Sequence, residues 1–167
     1  FLVFIFTHLF VILYAIFGHL LNFQALVTTT QTNLKADYTG IGVWGIVLLI
    51  MRAYSMGAGT YTGIEAVSNG LPILREPKVE TAKHTMRYMA FSLSLTVMGL
   101  LVAYLLLNVN PQEGKTLNAV LFTYITAGWG QNIGNIFLVI TLVSEAMLLF
   151  IAAQAGFLDG PRVAANM

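Results

Sequence analysis

The chain has 167 residues, 57% of them hydrophobic and only 9% charged, with a net charge of +1 and a mean hydropathy of +0.79. An average soluble domain is about a quarter charged, so the solvent this sequence is built for is a lipid bilayer. The small net charge and the lack of a basic run with interleaved aromatics exclude nucleic acid as a partner, and the absence of cysteine excludes disulfides, thiolate metal sites and thiol nucleophiles.

Four stretches reach the roughly 20 mostly apolar residues that cross hydrocarbon at ~1.5 Å per residue. Residues 1–21 form the first, polar only at Thr7, His8, Tyr14 and His19. A secretory signal would place charge ahead of its apolar core, whereas Phe1 already stands inside one. The chain is therefore expected to be a fragment that opens within a membrane helix. His8 and His19 fall on nearly one helical face, which suggests a proton path or a metal pair, but their spacing corresponds to about 16 Å along the axis, too far for a shared metal, and with His19 expected at the interface neither role is favoured. No metal site is expected.

Residues 22–42 are rich in Thr, Gln and Asn, contain Lys35 and Asp37, and lack an apolar period, which predicts an aqueous loop. The second span covers 43–69. As one straight helix it would measure about 40 Å against a hydrocarbon core of ~30 Å. Gly57, Gly59 and Gly63 supply an interruption, because each glycine costs roughly 1 kcal/mol relative to alanine inside a helix. Interrupted backbone is tolerated in hydrocarbon only where it is buried in protein or lines a wet cavity. Residues 57–69, with Thr60, Tyr61, Thr62, Glu65 and Ser68, are therefore the candidate binding site, and Asn69-Gly70-Leu71-Pro72 is the stop that follows.

Arg75, Lys78, Lys83 and Arg87 are half of the eight lysines and arginines. The positive-inside rule accordingly assigns the loop 73–87 to the cytoplasm. Residues 88–109 form an uncharged third span. Residues 117–127 are apolar but too short to cross, which predicts an interfacial or re-entrant helix. The fourth span, 133–156, contains Glu145 and is expected to leave the membrane at the Asp159-Gly160-Pro161 turn.

Ionisable groups within spans are functional candidates by default. Arg52 either pairs with a buried carboxylate or snorkels to an interface. Glu145, with Thr141 four residues before it and Ser144 beside it, is either a structural carboxylate bonded between helices or a proton carrier. Glu65 has Thr62 and Ser68 three residues to either side, hydroxyls suited to a cation or a proton. Burial favours its neutral acid, while the positive end of a half-helix favours its carboxylate, so proton exchange and simple capping of exposed amides both stand. An intramembrane serine enzyme is disfavoured, since Ser68 has no base on its own helix. A channel-like or structural helical bundle without coupled transport is the alternative to a carrier.

Residues 57–69 resemble the sixth transmembrane helix of the amino acid/polyamine/organocation (APC) superfamily, in which an unwound glycine-containing segment precedes a glycine, a carboxylate and an Ala-Val-Ser-like run. Leu74-Arg75-Glu76-Pro77 with Thr81-Ala82-Lys83 is similar to that superfamily's inner loop ahead of helix seven. Ala152-Ala153-Gln154-Ala155-Gly156-Phe157-Leu158-Asp159-Gly160-Pro161-Arg162 is similar to the end of helix eight. Within the superfamily, Thr62-Gly63-Ile64-Glu65-Ala66-Val67-Ser68-Asn69 is most like the KimA-type potassium importers.

The resemblance implies an all-α membrane protein with a partial LeuT-type inverted-repeat fold, here helices five to eight, four transmembrane helices of which the second is broken. Its substrate site would lie at the midplane between broken helices. It implies Thr62 as a cation or substrate ligand and Glu65 as a coupling carboxylate. Gln154 and Ala155 stand where many members have Asn-Thr, which disfavours a sodium site and points to a proton as the coupling ion. The implied function is proton-coupled import of an amino acid or potassium by a multi-pass protein of a prokaryotic cytoplasmic membrane, without enzyme activity or cofactor. Its partners would be the bilayer, the small-molecule or ion substrate, and the remaining helices of the same transporter. An amino acid carboxylate would seek free amides near Gly63. A bare cation would seek carbonyls at 57–60 together with hydroxyls and a carboxylate, and Thr60, Tyr61, Thr62 and Glu65 suit it better.

Overall fold

Apolar residues without charge give the first helix, α1 (Leu2–Gly18), whose face of Thr7, His8, Val11, Ile12 and Ala15 is buried. These positions repeat at the three-to-four-residue spacing that puts side chains on one side of a helix. The computed structural model describes residues 1–57, 70 and 74–165. A 3-10 turn, Leu20–Asn22, follows α1, and then α2 (Phe23–Gly57), α3 (Lys78–Leu106), α4 (Leu117–Thr126) and α5 (Gln131–Ala165). Among the described residues there is no strand, only an isolated antiparallel bridge between Gln112 and Lys115.

The helices fall into two units, one of Phe1–Leu20 with Ser92–Met167 and one of Leu21–Phe91. The first contains a core. Val11 and Ala15 of α1, Ala103 of α3, and Leu121, Phe122 and Ile125 of α4 are buried together with Leu107, with Phe137, Leu138 and Leu142 of α5 packed against them. Lipid tails are as apolar as leucine, so helices in a bilayer associate through close van der Waals packing, which small residues permit. Gly99 is such a contact: a Cβ there would lie 2.6 Å from Ile12 Cγ2, so only glycine lets α3 approach α1 this closely. Helix α4 starts at Thr116, whose side chain accepts a hydrogen bond from the Ala119 amide at 3.1 Å. Past its end, the Trp129 ring meets Tyr14, Phe10 and Phe137 at centroid distances of 5.5, 5.7 and 5.1 Å.

The second unit contains α2 and the start of α3. No residue of α2 is buried. The helix is two helices joined at Gly42, whose φ of 67° and ψ of 179° lie in a region open essentially to glycine alone. The first of these, polar and expected as a loop, is helical. Thr28 and Thr32 donate their hydroxyls to the carbonyls one turn back, Gln24 and Thr28, both at 2.9 Å. Local bonding of this kind satisfies the side chains within the helix, and a helix with no buried face needs no apolar stripe.

The charged segment expected as a loop is also helical from Lys78 onward. Glu76 Oε2 accepts from the Lys78 amide at 3.3 Å, and Glu80 stands in the first turn, where the helix dipole favours an anion. At the other end, α5 runs through Pro161 to Ala165 instead of turning out at Asp159-Gly160-Pro161. The proline removes one backbone donor, and the helix continues on either side of it.

Three helices are long and apolar enough to cross a membrane, Leu20–Gly57, Lys78–Leu106 and Gln131–Gln154. Four were expected. The other apolar stretch, α1, has 17 helical residues, at the short limit of the ~17–25 that span. The described chain is thus all-helical and of membrane type.

Candidate functional site

Within the first unit, four helices bring one polar side chain each to a common point. His8 lies one turn beyond Phe4 on the buried face of α1 and is packed between rings, with Phe4 at a centroid distance of 3.9 Å and Phe122 edge-on at 5.2 Å. Glu145 follows the fully buried Thr141 by one turn on α5. Asn118 precedes the buried Leu121 and Phe122 by one turn on α4, and Tyr104 is beside the buried Ala103 on α3.

The hydrogen bonds are continuous across them. The Tyr104 hydroxyl donates to Asn118 Oδ1, and Asn118 Nδ2 donates to Glu145 Oε1 at 2.6 Å. The same Oε1 is 2.8 Å from His8 Nε2. The other ring nitrogen, His8 Nδ1, stands 2.8 Å from the Phe4 carbonyl. Since a carbonyl only accepts, Nδ1 bears a hydrogen, and the line between Nε2 and Oε1 holds one further proton. The Asn118 orientation follows from the same logic: Oδ1 takes the phenolic hydrogen, leaving the amide nitrogen as donor to the carboxylate.

Burial is unequal. The His8 side chain is 1% exposed and that of Glu145 is 15% exposed. Separating two charges from water is expensive and is offset only when geometry is good and the remaining polar atoms are bonded. For the buried atoms that condition is met, since among the described residues no buried side-chain nitrogen or oxygen is without a partner, while Glu145 Oε2 lies on the more exposed side of the pair. Thr141 and Ser144 turn inward to their own helix, donating to the Phe137 and Thr141 carbonyls at 2.9 and 2.7 Å. They take no part in the Glu145 cluster.

Of the residues that the sequence singles out, Glu145 is therefore placed at a polar centre, and its partner is His8, which the sequence weighs only against His19. His19 instead bonds the Ala15 carbonyl at 3.0 Å. Arg52 sits on the exposed second half of α2 and makes no ion pair among the described residues. Gly57 ends α2. Gly59, Thr60, Tyr61, Thr62, Gly63, Glu65 and Ser68 lie outside the described residues. Among the described residues no group of three or more His, Asp or Glu could hold a metal. Asn118 and Tyr104 were not anticipated, since an amide and a phenol in apolar helices give no signal until a charged group is placed beside them. His8 and Glu145 did carry one: two ionisable groups in separate apolar helices each need a partner away from water.

No protein-family model and no solved structure matches the chain. Among curated proteins it is similar to the potassium transporter KimA of Bacillus subtilis (strain 168), with 29% identity over 142 residues, which covers 83% of this chain. The chain spans 22% of the length of that relative.

Proposed function

We propose that this chain is a segment of a membrane transporter that imports a monovalent cation, potassium, coupled to a proton. The observation that carries the reading is the similarity to a potassium transporter along 83% of the chain, supported by three helices able to cross a bilayer. The candidate site is the stretch 57–69. Thr60, Tyr61, Thr62 and Glu65 offer hydroxyls and a carboxylate, the hard oxygen donors that replace a cation's hydration shell, and glycines at 57, 59 and 63 allow backbone carbonyls to turn toward it. Amino acid import by the same break is the competing substrate, through amides near Gly63.

Rubidium uptake and amino acid counterflow in vesicles that hold the intact protein separate the two. Saturable rubidium uptake, stimulated by an inward proton gradient, is expected. Counterflow of an amino acid without rubidium uptake moves the substrate to that class. Unitary currents in its place favour a channel, and uptake of neither defeats the transporter reading. Glu65→Gln is expected to abolish the proton dependence of uptake while expression is retained, as read by rubidium flux at several external pH values. An unchanged pH profile would return Glu65 to a capping role.

A further inference from the structure

We infer that His8 and Glu145, with Asn118 and Tyr104, form a proton-binding site of their own within the first unit. Three observations carry it together. The His8 Nε2 to Glu145 Oε1 contact at 2.8 Å joins two titratable groups of different helices through a single hydrogen. The Nδ1 hydrogen is committed to the Phe4 carbonyl, so the imidazole cannot answer loss of that proton by changing tautomer without breaking a second bond. The carboxylate's second oxygen, Oε2, takes no hydrogen bond from the described residues, and Glu145 is the more exposed partner, so protons enter and leave through its side of the pair.

The exchange balances simply. In the bonded state the pair is net neutral, as imidazolium with carboxylate or as imidazole with carboxylic acid, and the Asn118 amide donates to Oε1 in either form. Release breaks the bond between the shared proton and the pair, leaves a lone pair on Nε2 facing a carboxylate, and takes the net charge to −1. Two acceptors then face each other at 2.8 Å, and the tie between α1 and α5 is lost. Uptake of the proton restores it. Among the described residues the groups that face the pair are few: Tyr104 from α3 through Asn118, the neutral Asn118 from α4, and Thr7 beside His8 on α1, whose hydroxyl is 3.4 Å from Nδ1. Among the described residues no lysine or arginine stands in the cluster to hold the carboxylate when the proton leaves.

A tie that exists only to join helices would work as well with an amide. Glu145→Gln keeps an oxygen to accept from Asn118 and gains an amide hydrogen to donate to the bare Nε2 of neutral His8, so it holds the tie without the titrating carboxyl and separates the two roles. The test is infrared difference spectroscopy across a pH titration of the intact protein in nanodiscs, with carbon-13-labelled histidine. In the unsubstituted protein a labelled imidazole band and a carboxylate band are expected to change with one common midpoint. Both changes are expected to be lost in Glu145→Gln and in His8→Gln, with the thermal midpoint of Glu145→Gln near that of the unsubstituted protein. Retention of the paired bands in either variant, or no paired change in the unsubstituted protein over the pH range where it stays folded, overturns the assignment. The measurement on unsubstituted protein stands even if a variant fails to fold. Proton binding is read at equilibrium, so its failure is distinct from failure of the potassium reading.

Discussion

His8 and Glu145 illustrate how a membrane interior prices single residues. Each alone would be an uncompensated polar group in hydrocarbon, and together they share one hydrogen and have their remaining contacts supplied by Phe4 and Asn118. Removing one partner of such a pair costs about 3–5 kcal/mol, because the other charge is left buried and alone, whereas replacing both by apolar residues of similar volume is often neutral. His8→Ala should therefore lower the thermal stability of the intact protein markedly. The double replacement His8→Leu with Glu145→Leu should recover most of the loss. Thermal denaturation of the two variants measures this, and a double replacement no more stable than His8→Ala would show that the loss does not come from an orphaned partner.

At the scale of elements, α2 is where polarity and periodicity misled. Residues 22–42 have the composition of a loop, yet 23–41 is helical without a buried face, with the Thr28 and Thr32 hydroxyls bonded one turn back. The junction is Gly42, and only its conformation separates the polar half from the apolar one. Gly42→Ala should cost about 1–3 kcal/mol, the usual penalty of a non-glycine residue in such a backbone region. Faster amide hydrogen exchange at 38–46 in the variant is the expected readout, and unchanged protection would mean that the kink relaxes into a straight helix at little cost. The charged run at 75–87 is expected from composition to lie at the watery end of a span. That it is helical from Lys78 was not legible, because helix and loop satisfy charged side chains in water equally well.

For the whole molecule, the charge distribution makes a claim about sidedness. Four of the eight lysines and arginines fall between 75 and 87, while the segments 22–42 and 110–132, which alternation of the expected spans puts on the other side, hold only Lys35 and Lys115. Helix α3 links the two regions, and its 29 residues give about 43 Å of length, enough to cross hydrocarbon with its charged turns outside. The chain has no cysteine, so single replacements report without background. Glu80→Cys should react with an impermeant maleimide only from the cytoplasmic side, and Glu113→Cys only from the external side. Labelling of both from one side would overturn the orientation.

Composition alone determined the solvent and the helical class, since every backbone donor and acceptor must be satisfied internally once water is absent. Glycine content makes 57–69 an expected interruption that lies almost wholly outside the described residues, and position in an apolar helix marks the carboxylate at 145 as a group in need of a partner. The partner itself was a matter of tertiary structure. His8 stands far from Glu145 along the chain, and Asn118 and Tyr104 look like ordinary helix residues until four helices converge. Pairing in hydrocarbon is decided by which faces pack together, and the close approach of α3 to α1 at Gly99 and Ile12, like the seat of α4 against α5, is set by the shapes of side chains on different helices, which no periodicity within one helix encodes.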